Sequence, residues 1–160
     1  LNLGRVEDDH FPKGVYIITT RAGRRQGGMT ASWVCRAAGR PPVMSAAIHH
    51  RSHTGRLIKE SRAFVVNLIG EDQVGLARLF GLASGRRVDK LARVETIDSP
   101  GGLPVLAEAL GFLECRVIRR VVVEDHSVFF GRIVAEELLR PGRPLMFSPS
   151  DYQGAGRKND

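Results

Sequence analysis

Two long runs of strand-forming residues, separated by three polar ones, constrain this chain more than any other feature. Residues 113–123 and 127–139 are rich in valine, isoleucine and phenylalanine, and Glu124, Asp125 and His126 stand between them. β-Branched and aromatic side chains suit a pleated, half-buried surface. So short a connection joins antiparallel strands, because parallel ones need a crossover of about a dozen residues. The spacing predicts a long hairpin, and with it a fold built on an antiparallel sheet.

The rest of the chain agrees. Residues 15–20 read as a buried strand, 21–28 as a polar connection containing glycine, and 29–37 as the returning strand. Residues 43–48 and 63–69 are further strands, and 145–147 a last short one. Ser52 or Thr54 caps a short helix that runs through Ser61. Asp72 caps a second, whose apolar stripe is Val74, Leu76, Ala77, Leu79 and Phe80. The helices do not alternate with the strands, which argues against a doubly wound sheet. Six or seven strands and two short helices predict a mainly β protein, an antiparallel barrel with peripheral helices. At 160 residues one domain is expected, over residues 1–150, with 151–160 a loose polar tail. The sequence opens on Leu1 and not on methionine, so a trimmed piece of a longer chain is an open reading.

Charge narrows the partners. There are 24 Lys+Arg against 17 Asp+Glu, a net charge of +7. The basic residues come in scattered groups, such as Arg24-Arg25, Arg86-Arg87 and Arg119-Arg120, and form no evident stripe. Nucleic acid is therefore not expected as a partner, although a basic β-barrel module is the third reading. A solvated basic surface and a basic rim for a phosphorylated small molecule both remain. Cys35 and Cys115 fit no zinc or redox spacing and read as buried small hydrophobes. No secretory pattern and no apolar run of about 18 residues is present, so a soluble cytoplasmic protein without a membrane span is expected.

A few residues are chemically pointed. His49, His50 and His53 look like a metal cluster, but neighbours on a strand face opposite ways and no carboxylate or thiol lies near in sequence. No metal is expected. Arg51, Ser52 and Thr54 open a helix whose first N–H groups are free, which suits either a phosphate or an ordinary cap. Asn67 is a lone amide in an apolar strand. It needs either an internal partner or a ligand. His126 sits beside two acids, which suits a surface turn or a substrate contact.

The ordered set "GVYIITT" (14–20), "MTASW" (29–33), "PPVMSAAI" (41–48) with "RSHT" (51–54), "FVVNLI" (64–69), "QVGLARLFG" (73–81), "GGLPVLAEALGFLEC" (101–115) and "EDHSVFFGRI" (124–133) resembles the flavin reductase-like family of FMN-binding split barrels. That group includes flavoredoxins, reductase components of two-component monooxygenases and the flavin reductase domains of diiron flavoproteins. The resemblance implies a split barrel with non-covalent FMN, FAD being possible, and a homodimer. It implies NADH or NADPH as cosubstrate and a flavin or a redox partner protein as acceptor. A flavoredoxin-type electron carrier that does not oxidise NAD(P)H directly is the alternative. By the same resemblance Met29, Thr30, Ala31, Ser32 and Trp33 lie along the flavin ring. Arg51, Ser52 and Thr54 hold phosphate and ribityl oxygens. Asn67 and Leu68 lie beside the ring, and Phe80 and Lys90 approach the flavin, Lys90 as a phosphate counter-charge. His126 matches the histidine of a Gly-Asp-His turn near the nicotinamide. Glu124 stands where that family often has glycine, and Tyr152 is carried over from a weakly matching C-terminal segment.

Overall fold

The computed structural model describes residues 4–152. The predicted hairpin is its longest element, β8 (Gly111–Val123) with β9 (His126–Leu138). Val123 pairs with His126, so the turn is Glu124-Asp125 alone and His126 already belongs to a strand. Glu124 has a φ of 46°. Glycine adopts that left-handed conformation without steric cost, which accounts for its frequency in such turns.

The sheet has seven strands. In chain order these are β1 (Tyr16–Ala22), β2 (Arg25–Ala31), β3 (Val34–Gly39), β4 (Pro42–His49), β5 (Ala63–Leu68), β8 and β9. Their spatial order is β2-β1-β5-β8-β9-β4-β3, every pair antiparallel. Ile18, Ala31, Val34, Met44, Phe64 and Phe129, from six of these strands, meet in one core. The sheet therefore curls around its own interior. β2 and β4 touch across the gap, but the end strands β2 and β3 are not hydrogen-bonded to each other. This is the expected barrel, and it is split. β6 (Thr96–Asp98) and β7 (Pro104–Leu106) form a separate small hairpin.

Two helices cover the outside. Ser52 caps α1 (His53–Ser61), its hydroxyl accepting from the Gly55 N–H at 3.1 Å. α2 (Val74–Leu82) packs Ala77 and Phe80 against Ile17, Val15 and Leu106 in a second core. Asp72 does not cap it. A 3-10 turn, Glu71–Gln73, precedes the helix, and the Asp72 carboxylate pairs instead with Arg140 at 3.1 Å. Residues 145–147 make only an isolated bridge, Met146 to Gly14, and no strand.

Three further expectations change. The connection read over residues 21–28 is mostly strand, and the reversal is confined to Gly23 and Arg24, with Gly23 at a φ of 59°. Gly27 and Gly28 lie inside β2, where a Cβ on Gly28 would sit 2.6 Å from Phe80 Cε1 and one on Gly27 3.1 Å from Leu57 Cδ1. Their lack of side chains lets both helices close onto the strand. The single strand read over residues 29–37 is broken at Ser32 and Trp33. Cys115 is buried, and desolvation pushes its thiol up to about 12, but Cys35 is exposed; both are free. Among the described residues no helix is long and apolar enough to cross a membrane. The expected tail lies, beyond Tyr152, outside the described residues.

Candidate functional site

β2 ends the sheet, so one of its edges carries backbone N–H and C=O groups that no neighbouring strand satisfies. α1 and α2 flank that edge, and two cavities open along it. At its end, Thr30, Ala31 and Ser32 face Gly81, Phe147 and Tyr152 across about 200 Å³. The Phe147 and Tyr152 rings stack at 5.8 Å with 20° between their planes, and burial pushes the Tyr152 phenol up. The Thr30 hydroxyl donates to the Ala77 carbonyl at 2.6 Å, tying strand to helix.

A larger cavity of about 380 Å³ lies at the start of β2, among Arg25, Gly27, His53, Arg86, Arg87 and Lys90. Gly27 and Thr30 are roughly 10 Å apart along an extended strand. The two arginine doublets, distant in sequence, meet here because the 84–91 segment folds back beside the β1–β2 turn. His53 registers their field. Its imidazole is held below its ordinary pKa, first by burial and then by Arg56, Arg25, Arg86 and Lys90. Lys90 is nearly enclosed, and its Nζ donates at 2.9 Å to the carbonyls of Phe80 and Ala83. Those groups are at the C-terminal end of α2, where a cation complements the helix dipole. Burial lowers its pKa to about 8.

The expected site residues thus divide. Thr30, Ala31 and Ser32 line the apolar slot, and Lys90 the basic cavity. Met29 turns toward α1 instead, its sulfur 3.0 Å from the Ser52 hydroxyl. Ser52 spends its oxygen on that contact and on the cap. Thr54 is buried against Gly27. Arg51 is exposed, and its guanidinium has no partner among the described residues, while its carbonyl accepts from Arg86 at 3.2 Å. Phe80 is fully buried behind Gly28. Leu68 packs against the barrel core.

Asn67 does not lie beside a cleft. Its amide donates to the Ile17 carbonyl at 2.9 Å and the Thr19 hydroxyl at 3.0 Å, and its oxygen accepts from the Leu106 N–H at 2.9 Å. The residue is fully buried, so the amide joins β1, β5 and β7 and has no face for a ligand. Sequence reasoning left Val15, Gly81 and Phe147 out of the site. Glycine beside a strand threonine, and an aromatic in an irregular segment, give no periodic signal.

His126 belongs to a separate cluster on the same rim. Its Nδ1 lies 2.6 Å from Asp125 Oδ1, and its ring lies 4.9 Å from that of Trp33 and 5.3 Å from that of His49. Trp33 follows Ser32 directly. It is half exposed, and its Nε1 donates to Asp8 at 3.2 Å. The neighbouring His50 Nε2 is buried without a partner among the described residues, and nothing in the structure explains it. No group of three or more metal-ligating side chains occurs among the described residues.

The arrangement offers a small, largely apolar slot, a cationic cavity beyond it and an imidazole–indole pair at the rim. A planar heterocycle with a phosphorylated tail has that shape and charge. The sequence model described as "Flavin reductase like domain" matches residues 9–156. The chain is 32% identical over 137 residues to a high molecular weight rubredoxin of Moorella thermoacetica, covering 84% of this chain and 60% of that one. It is 33% identical over 138 residues to the reductase component of a 4-nitrophenol 4-monooxygenase/4-nitrocatechol 2-monooxygenase of Rhodococcus opacus, covering 86% of this chain and 72% of that one. Its fold is similar to that of an FMN-binding protein of Thermus thermophilus, with a TM-score of 0.84 at 22% identity over 94% of this chain and 93% of that one. The chain therefore spans less than two thirds of the Moorella relative's length.

Proposed function

The chain belongs to the flavin reductase-like domain family, and on that premise we propose that it is an FMN-binding oxidoreductase driven by NADH or NADPH. The observation that carries this reading is the pair of cavities, one apolar and one basic, along the free edge of β2. Thr30, Ala31 and Ser32 would wall the flavin ring on one side, with Phe147 and Tyr152 on the other. Lys90, Arg86 and Arg25 would answer the phosphate. FAD shares the ring and the first phosphate and fits the same residues. A flavin held there would supply the redox chemistry, taking electrons from reduced nicotinamide for a flavin or protein acceptor.

The protein's part is to bind, orient and polarise. N–H groups on the β2 edge, which no strand satisfies among the described residues, would favour negative charge on a ring beside them. The Trp33–His126 pair, its rings 4.9 Å apart and tilted at 42°, would give a nicotinamide an aromatic docking face at the rim. A homodimer accords with the exposed apolar side chains Ile118, Val122, Val123, Val134 and Leu138 on the long hairpin. Anaerobic mixing of the FMN-loaded protein with NADH and with NADPH tests the activity. We expect one of them to bleach the flavin absorbance within seconds. Absorbance that persists for an hour with both would favour the electron-carrier reading.

Lys90 sets a pH dependence. Phosphate beside its ammonium stabilises the charged form, so the bound state has the higher pKa. FMN binding then takes up a proton once Lys90 is neutral in the free protein. Affinity should be full below pH 8 and weaken above it, by at most about tenfold per pH unit. Fluorescence titrations from about pH 7 to 9.5 will read this. Riboflavin, which lacks the phosphate, should show no such decline, and an identical decline for both would exclude Lys90 as the counter-charge.

A further inference from the structure

The long hairpin and strand β4 hold His126 from two sides. β4 pairs with β9 so that His49 stands opposite His126, and the rings meet edge to face at 82°. The left-handed Glu124 folds the turn back, and the Asp125 carbonyl accepts from the His50 N–H at 2.9 Å, fastening the turn to β4. The Asp125 carboxylate then lies between two imidazoles. Oδ1 is 2.6 Å from His126 Nδ1, and Oδ2 is 3.8 Å from His49 Nε2.

The hydrogen bonds fix where the protons reside. The Arg51 N–H donates to His49 Nδ1 at 3.0 Å. Neutral His49 therefore carries its proton on Nε2, toward Asp125. A carboxylate accepts and cannot donate, so His126 carries its own proton on Nδ1. In the neutral ring His126 Nε2 is then a lone pair; it has no partner among the described residues, and the ring is only 21% exposed and lies tilted at 42° against Trp33. The bond from His126 holds the Asp125 carboxyl below its ordinary range, consistent with a carboxylate at neutral pH.

We propose that Asp125, steadied by His49, is a positioning residue that holds His126 in the Nδ1–H tautomer, so that Nε2 accepts a hydrogen bond from the carboxamide N–H of a nicotinamide. The carboxamide half of the proposal rests on the reading of the function given above; the tautomer half does not. On this account His126 orients the cosubstrate as an acceptor and is not a proton donor.

Long-range ¹H–¹⁵N spectra of the histidine side chains at about pH 8, where unperturbed imidazoles are neutral, separate the tautomers. In the wild type, His126 is expected as Nδ1–H. In Asp125→Ala it should move predominantly to Nε2–H. Asp125 is 70% exposed, so the fold and the FMN affinity should survive the change. KM for the nicotinamide should rise about tenfold with kcat retained, the signature of a lost binding contact. In His49→Gln the His126 signals should shift toward a mixture; unchanged signals would remove His49 from the unit. A wild-type His126 in the Nε2–H form, or one unmoved by Asp125→Ala, would overturn the proposal. If the tautomer is as expected but neither nicotinamide is oxidised, the carboxamide role falls and the positioning stands.

Discussion

Ser32→Leu is expected to weaken FMN binding about 100-fold, some 2.7 kcal/mol, with little change in stability. Ser32 sits at the bend between β2 and β3 and lines the apolar slot. Its hydroxyl has no hydrogen-bond partner among the described residues, so losing it orphans nothing. A leucine there fills space in a cavity of about 200 Å³, where a flat ring must lie against the backbone. Substitutions of that kind, outside a packed core and its hydrogen bonds, usually change stability by about 0.5 kcal/mol or less. Fluorescence titration with FMN and a thermal melt of the same variant check both halves. Undiminished affinity in a folded Ser32→Leu protein would move the ring site off β2.

Asn67→Leu should do the reverse, lowering the free energy of unfolding by about 3 kcal/mol and leaving the FMN affinity of the folded protein unchanged. Leucine is close in size but offers neither donor nor acceptor. The Leu106 N–H would be left buried without its acceptor, and the Ile17 carbonyl and Thr19 hydroxyl would lose a donor. Orphaned buried groups are the costly side of hydrogen bonding, at about 1–3 kcal/mol each. Denaturant unfolding measures the loss. A variant of native stability that binds FMN tenfold more weakly would return Asn67 to the ligand site.

Those two residues also show what the amino-acid order reveals. The β8–β9 hairpin was legible because length and residue type pointed one way over more than twenty residues. The barrel followed from it, and a cap at Ser52 or Thr54 from the chemistry of a helix start, of which the structure uses Ser52. Asn67 was undecidable within its strand, since its partners come from β1 and β7, remote in sequence. Gly27 and Gly28 looked like a turn because glycine has two uses, and only the approach of Phe80 and Leu57 reveals that here it makes room. The arginine doublets gave no stripe, yet folding places two of them around one cavity. Met29 meets the Ser52 hydroxyl instead of the slot that Thr30, Ala31 and Ser32 line, a contact that joins residues 23 apart.

The most direct measurement is the visible spectrum of the purified chain after incubation with excess FMN and gel filtration. We predict a yellow protein that retains about one flavin per chain, as a largely pre-formed pocket would. A colourless protein, with all the flavin eluting free, would contradict the cleft along β2 as a flavin site.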